Sequence, residues 1–199
     1  TQELWSDHRP TLRTEVRGLV NRGFAVCVDD WTHYGEFQAV YSENMSRVGA
    51  SDFYFFGERY FAGMRDLPSQ ASSLITVVGP DGGLAAGGLY FMYEGLCHYH
   101  LGATSSTYLA DSPMKLLLSS AQDVARSRGI RLMHLGGGLG GAEDGLFRFK
   151  TGFGPGRARF RTWRSIVDRD RYQDLCDDAG VPAGDLTGFF PAYRSVLQG

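Results

Sequence analysis

His134-Leu135-Gly136-Gly137-Gly138-Leu139-Gly140-Gly141, running on into Asp144-Gly145-Leu146-Phe147-Arg148-Phe149-Lys150-Thr151-Gly152-Phe153-Gly154, is the most telling stretch of the chain. A strand that ends in a glycine run and restarts as a short aromatic and basic helix leaves open backbone beside Lys150, which is how a pocket for a reacting group is built. The run is no dinucleotide fingerprint, which needs a helix opening on the third glycine and an acidic residue about 20 positions on. It also lacks the Lys-Ser/Thr ending of a P-loop.

Outward from this stretch, periodicity sets the order of elements. Arg9 to Arg22 reads as an arginine-rich helix with Leu12, Val16, Leu19 and Val20 on one face, stopped by Gly23. Phe24–Val28 reads as a short strand and Asp30–Gly49 as a helix. The aromatic Ser51–Phe56 leads into a second helix over Glu58–Leu67, closed by Pro68. Leu74–Val78 and Leu84–Tyr93, split by Gly79-Pro80-Asp81-Gly82-Gly83, predict a hairpin, and Leu96–Leu101 the next strand. A polar loop over 102–111 precedes a helix in which Ser112 can cap and Pro113 can occupy the first turn; it ends near Arg128 at Gly129. Ile130–Leu135 is a strand, Asp144–Phe153 a helix, and Phe160–Val167 a last strand. The pattern by itself licenses an α+β fold with helices packed on a mixed sheet.

A chain of 199 residues that is 43% hydrophobic buries a substantial core. The net charge of −2 excludes polyanion binding by bulk electrostatics, but eight basic residues against Asp168 and Asp170 lie between Arg148 and Arg171. That segment reads equally as a positive face for RNA and as a solvated strand face. Three cysteines, at 27, 97 and 176, have no metal-ligand spacing and leave an odd thiol, which points to a reduced, cytoplasmic protein. No stretch approaches the roughly 20 apolar residues of a membrane span.

Together with His98-Tyr99-His100-Leu101-Gly102-Ala103-Thr104-Ser105, the F-R-F-K-x-x-F-G core of residues 147–154 resembles the second GNAT-type domain of the Fem family. These are peptidyltransferases that move an amino acid from aminoacyl-tRNA onto an amine, usually of a cell-wall precursor. The resemblance covers about Phe24 to Asp168 and implies the GNAT fold, a mixed central sheet flanked by helices. It also implies that residues 1–23 are a basic connecting helix and 24–199 the transferase domain, with the first domain of the family missing or reduced.

Amide formation needs a deprotonated amine and a stabilised oxyanion; a lysine ammonium suits the second task. The resemblance assigns that role to Lys150 and places Phe149 along the site. From the residues alone Lys150 is a candidate because Phe147, Phe149 and Phe153 surround it in sequence, whereas a lysine on a short helix is commonly just solvated. His100 is the candidate base, since an imidazole titrates near neutrality, although structurally satisfied histidines are common. His98 and His100 share a sheet face opposite Tyr99. Tyr99, His98, Thr104, Arg148, Gly137, Gly138 and Phe153 make up the expected substrate-binding set, with Arg148 open to either a ligand anion or a surface ion pair. Arg159, Arg161 and Arg164 are the RNA-contact candidates. His98, His100 and His134 lack a carboxylate or cysteine to complete a metal set, so no metal and no cofactor is expected.

Acetyl-CoA-dependent GNAT enzymes carry a Q/R-x-x-G-x-G/A loop whose N–H groups hold pyrophosphate. Residues 103–115 lack those glycines, and Asp111 repels phosphate. Three readings follow: aminoacyl-tRNA as donor with a small-molecule or peptide amine as acceptor; the same reaction from acyl-CoA or a carrier-protein thioester; and a non-catalytic binding half of a tandem protein. Pairing of two chains to replace a lost domain stays open.

Overall fold

The computed structural model describes residues 7–68, 71–184 and 188–198. They fall into two compact units, 1–156 and 157–199, of which the first carries the sheet.

In the first unit, α1 (Pro10–Asn21) begins with proline at its first position, where a missing N–H costs nothing. Its Leu12, Val16 and Leu19, at helical spacing, are buried. The chain continues as β1 (Ala25–Val28), α2 (Tyr34–Arg47) and α3 (Glu58–Arg65). Then come β2 (Ser72–Val78), β3 (Leu84–Tyr93), β4 (Leu96–Thr104), α4 (Met114–Ser127), β5 (Leu132–His134) and α5 (Gly145–Lys150). The five strands lie in the order β1-β2-β3-β4-β5. All neighbours are antiparallel except β4 and β5, which are parallel, as the crossover through α4 requires. The architecture is the α+β fold expected: a mixed sheet flanked by helices.

Both sheet faces are covered, so β2 is buried almost throughout and reads as the near-continuous apolar run Leu74–Val78. On one face α1 and α4 pack over Ile75, Val77, Tyr90 and Cys97, with Leu116, Leu117 and Ala121 of α4 in the same core. Fully burying one such leucine is worth about 1.5–3 kcal/mol. On the other face Tyr34, Phe37, Tyr41 and Phe61 of α2 and α3 pack over Leu74, Leu89, Leu101 and Ala103. The helix over 10–21 is thus part of the main core; residues 1–6 of the expected connecting segment lie outside the described residues.

Two local expectations are corrected. Ser112 does not cap α4 through its side chain: it takes a left-handed conformation (φ 56°), and the helix opens from Pro113. No strand forms over 160–167, where Phe160, Trp163 and Val167 are exposed. Alternating residues make a strand only where a sheet edge pairs with them, and this segment belongs to the second unit. That unit is built on α6 (Arg169–Asp178), capped by the Asp168 carboxylate on Arg171 N–H at 2.9 Å. Tyr172 of α6 stacks on Phe190.

Candidate active site at the splay of strands four and five

β4 and β5 pair over only three steps, Leu96 with Leu132, Cys97 with Met133 and His98 with His134. β5 stops at His134, whereas β4 continues to Thr104 paired only to β3 among the described residues. The sheet therefore splits directly after the two histidines. Gly136, with φ 76°, turns the chain away there; that left-handed conformation is why a glycine follows so closely on the strand.

β4 is bulged at the split. Leu101 faces Leu89 and Tyr99 faces Tyr90, so His100 is the extra residue. A bulge re-aims the side chains on either side of it. Cys97 and Tyr99 accordingly face the α1/α4 layer, while Leu101 and Ala103 face α2 and α3. Gly102 returns to the α4 side, where the Tyr99 phenol occupies the place a Cβ would take. Beside it Tyr90 lies 5.3 Å away, ring to ring.

The glycine run closes the other side of the split. Asp144 caps α5 by accepting from Phe147 N–H at 2.8 Å and reaches back to accept from Leu139 N–H at 2.9 Å. These hydrogen bonds, that to Phe147 first, hold its carboxyl below the ordinary range. Gly138 packs so closely on Asp144 and the Ala142 carbonyl that no side chain fits. The turn is thus a fixed structure, and α5 leaves it pointing Lys150 back at the split. Lys150 Nζ donates to the Gly137 carbonyl at 2.8 Å and stands 5.9 Å from the centre of the Tyr99 ring, spanning the opening from the β5 side to β4. Burial pushes its pKa down, and Asp144 partly opposes that.

The end of α5 is anchored from two sides. Arg9 donates its backbone N–H to the Gly152 carbonyl (3.1 Å) and its guanidinium to the Arg148 carbonyl (3.4 Å). Gln122 of α4 donates to the Phe153 carbonyl at 2.9 Å and accepts from His8 at 2.5 Å. Nothing in the sequence signalled these anchors. Asp144 before Gly145-Leu146-Phe147 could have been read as a helix cap, the position aspartate favours.

On the α3 side, His98 and His134 stack with their Nδ1 atoms 3.0 Å apart. His100 hydrogen-bonds the Tyr60 hydroxyl and lies 4.5 Å from Phe91, ring to ring. Burial lowers the pKa of both His98 and His100; His134 and then Lys150 lower that of His98 further, and His98 that of His100. Tyr60 was not foreseen: its partner is 40 residues away in sequence.

Of the expected site residues, the structure brings Lys150, Tyr99 and Gly137 together, sets His98 beside His100, and packs Gly138 on Asp144. Phe149 is half-buried and makes an edge contact with Phe153. Phe153, expected along the substrate, is 2% exposed and packs within the core. Arg148 is exposed, and its guanidinium donates to the Glu143 carbonyl at 3.3 Å. Thr104 ends β4 beyond the bulge. Arg159 and Arg161 are exposed, and Arg164 donates to the Gly188 carbonyl. No strand carries these arginines.

The loop before α4 is filled by the protein itself. Residues 106–111 form tight 3-10 turns kinked at Tyr108. The buried Tyr108 ring fits against Gly79 and Gly83 of the β2–β3 turn and donates to Asp81. Asp111 pairs with Arg22 at 2.5 Å, and Ser106 N–H donates to Glu43 at 3.3 Å. Among the described residues no cluster of three or more histidines, cysteines or carboxylates is suited to a metal ion, and no helix is long and apolar enough to cross a membrane.

A family model for the acetyltransferase (GNAT) domain matches residues 6–151. The chain belongs to the GNAT family. The GNAT unit is similar to the crystal structure of FemX, at 16% identity and a TM-score of 0.63, over 76% of this chain and 55% of that one. It thus spans about half of FemX. It is also similar to an aminoglycoside acetyltransferase from an uncultured soil metagenomic sample, solved with sisomicin, at 8% identity and a TM-score of 0.56, over 75% of this chain and 99% of that one. At such identities these likenesses establish the fold. No curated protein matches the sequence. A GNAT domain of this kind is an acyltransferase.

Proposed function

We propose that the chain forms an amide bond by moving an amino acid from aminoacyl-tRNA to the amine of a small molecule or peptide. The observation that carries this reading is Lys150 Nζ in the opening between β4 and β5, partly desolvated and held by the Gly137 carbonyl. An ammonium has three donors, and one is used on Gly137. The others are available to the oxygen of the donor's ester carbonyl, which becomes an oxyanion as the amine attacks. Collapse of that intermediate expels the ribose hydroxyl of the tRNA. Phe149 supports the wall of the opening, and Tyr99, Gly137 and Gly138 line it.

Two further observations favour tRNA over coenzyme A. The loop before α4 is occupied by Tyr108 and flanked by the carboxylates of Asp81 and Glu43, while Asp111 is taken up by Arg22, an arrangement that opposes a pyrophosphate. The Arg159, Arg161 and Arg164 segment supplies positive charge suited to RNA phosphates. The likeness of the F-R-F-K-x-x-F-G core to the second GNAT-type domain of the Fem family adds to this. A thioester donor is the second reading, favoured by the acetyltransferase family model itself.

The deciding experiment incubates purified protein with labelled aminoacyl-tRNAs, acyl-CoAs and a panel of amines. Amide product from aminoacyl-tRNA alone supports the first reading. Product from acyl-CoA, with micromolar binding lost when residues 103–115 are altered, replaces it with the second.

A further inference from the structure

We propose that His98, backed by His134, is the base that takes the proton from the acceptor amine and returns it to the leaving oxygen. The inference rests on the amide-forming reading above and names the residue that reading leaves unassigned.

Position is the first argument. His98 and His134 are the last rung before the sheet splits, and both are exposed. The Lys150 ammonium lies near enough to repel a proton on His98. His100, the stronger candidate from sequence, is half-buried, tied to Tyr60 and packed against Phe91. It is better suited to forming the floor beside the acceptor.

Hydrogen-bond chemistry is the second. Two imidazole Nδ1 atoms 3.0 Å apart cannot both present lone pairs, so one ring donates to the other. When His98 donates from Nδ1 and His134 accepts, the lone pair of His98 Nε2 is left for the amine. After proton transfer the His98 imidazolium keeps a hydrogen bond to His134, which orients the ring as the third member of a catalytic triad does. The groups facing His98 are His134 from β5, Lys150 from α5 and His100 on β4 itself. Burial first, then His134 and Lys150, lower the pKa of His98, which favours the neutral form that a base requires.

The step balances. The amine nitrogen bonds to the ester carbonyl carbon and loses one proton to His98 Nε2. The carbon–oxygen bond of the ester breaks, and the imidazolium delivers that proton to the departing ribose oxygen. Amide and free hydroxyl are the products.

The test compares single-turnover rates with an alkyl amine and with hydroxylamine, whose attack product is acidic enough to lose its proton to water. His98→Ala should lose ~100-fold or more with the alkyl amine, far less with hydroxylamine, and regain rate with added imidazole. Lys150→Ala should lose rate with both. His134→Ala should lower kcat by roughly 10-fold without raising KM. His134→Asn, which keeps an acceptor near the Nδ1 position, should recover most of it. The wild-type rate should fall in acid below the ordinary histidine value of 6.5, and His98→Ala should lack that limb. Equal losses with the two acceptors, or an undiminished His98→Ala rate, would overturn the proposal. If the wild type transfers nothing from any donor, the functional reading fails instead. Nitrogen NMR of the imidazoles then still decides the pair: a neutral His98 protonated at Nε2 refutes the assigned tautomer.

Discussion

Replacing Lys150 with alanine separates a catalytic lysine from a structural one, because the two roles differ in size. The folded state loses one hydrogen bond from the ammonium to the Gly137 carbonyl at 2.8 Å. Hydrogen bonds to charged groups contribute about 1.5–3 kcal/mol, but Gly137 is exposed and Lys150 only half-buried, so solvent screening reduces this to about 1 kcal/mol. In a chain of this length that is a melting shift of about 2–4 °C. The anchors from Arg9 and Gln122 act on backbone carbonyls at 148, 152 and 153 and are retained. Loss of an oxyanion stabiliser, by contrast, costs about 2.7–4 kcal/mol of barrier, or ~100–1000-fold in rate. Single-turnover transfer with saturating amine, run beside a thermal melt, gives both numbers. A protein that melts within a few degrees of wild type and turns over ~100-fold slower is the expected result; an undiminished rate removes Lys150 from the mechanism. The sign with pH follows from burial. The active form is the cation, and its pKa lies below the usual 10.5, so activity should fall on the alkaline side before that pH is reached. Lys150→Arg should abolish that limb.

Gly102→Ala should destabilise by about 1–3 kcal/mol in urea melts, because its Cβ meets the Tyr99 phenol. Adding Tyr99→Ala should make the pair less costly than the sum of its parts. Asp144→Ala should release both the glycine turn and α5, lowering transfer while leaving the sheet core intact by circular dichroism. Because the folded carboxyl titrates below its ordinary 3.8, its contribution to stability is present above that value and lost as pH falls through the lower folded pKa, a difference acid titration of wild type and variant should display. If tRNA is the donor, log affinity should fall linearly with log salt. Neutralising Arg159, Arg161 and Arg164 should flatten that slope by roughly one unit per lost phosphate contact, and an unchanged slope would leave them as solvated charge.

Local signals in this chain were strong wherever a pattern needs only neighbours along the sequence. The Leu12, Val16 and Leu19 stripe, the hairpin around residues 79–83, and the run from Pro113 through Leu116 and Leu117 to Gly129 gave helix and strand identity, because side-chain periodicity and glycine or proline placement are properties of the local backbone. The glycine run likewise marked where the chain turns away after β5, and Asp144 the start of the helix that carries Lys150. What no local pattern carries is pairing across the fold. Whether residues 160–167 form a strand depended on a sheet edge to receive them, and none does. The bulge at His100 exists only as a mismatch between β3 and β4. Through it Tyr99 comes to lie over Gly102, and His100 to meet Tyr60. The contact of His98 with His134 joins residues 36 apart in sequence. The sequence by itself therefore determined the order of elements from α1 to α5 and singled out Lys150 as a candidate. Only the tertiary structure decided which histidines meet, which aromatic is core, and where the sheet opens, because those contacts are set by strand register and helix packing between distant segments.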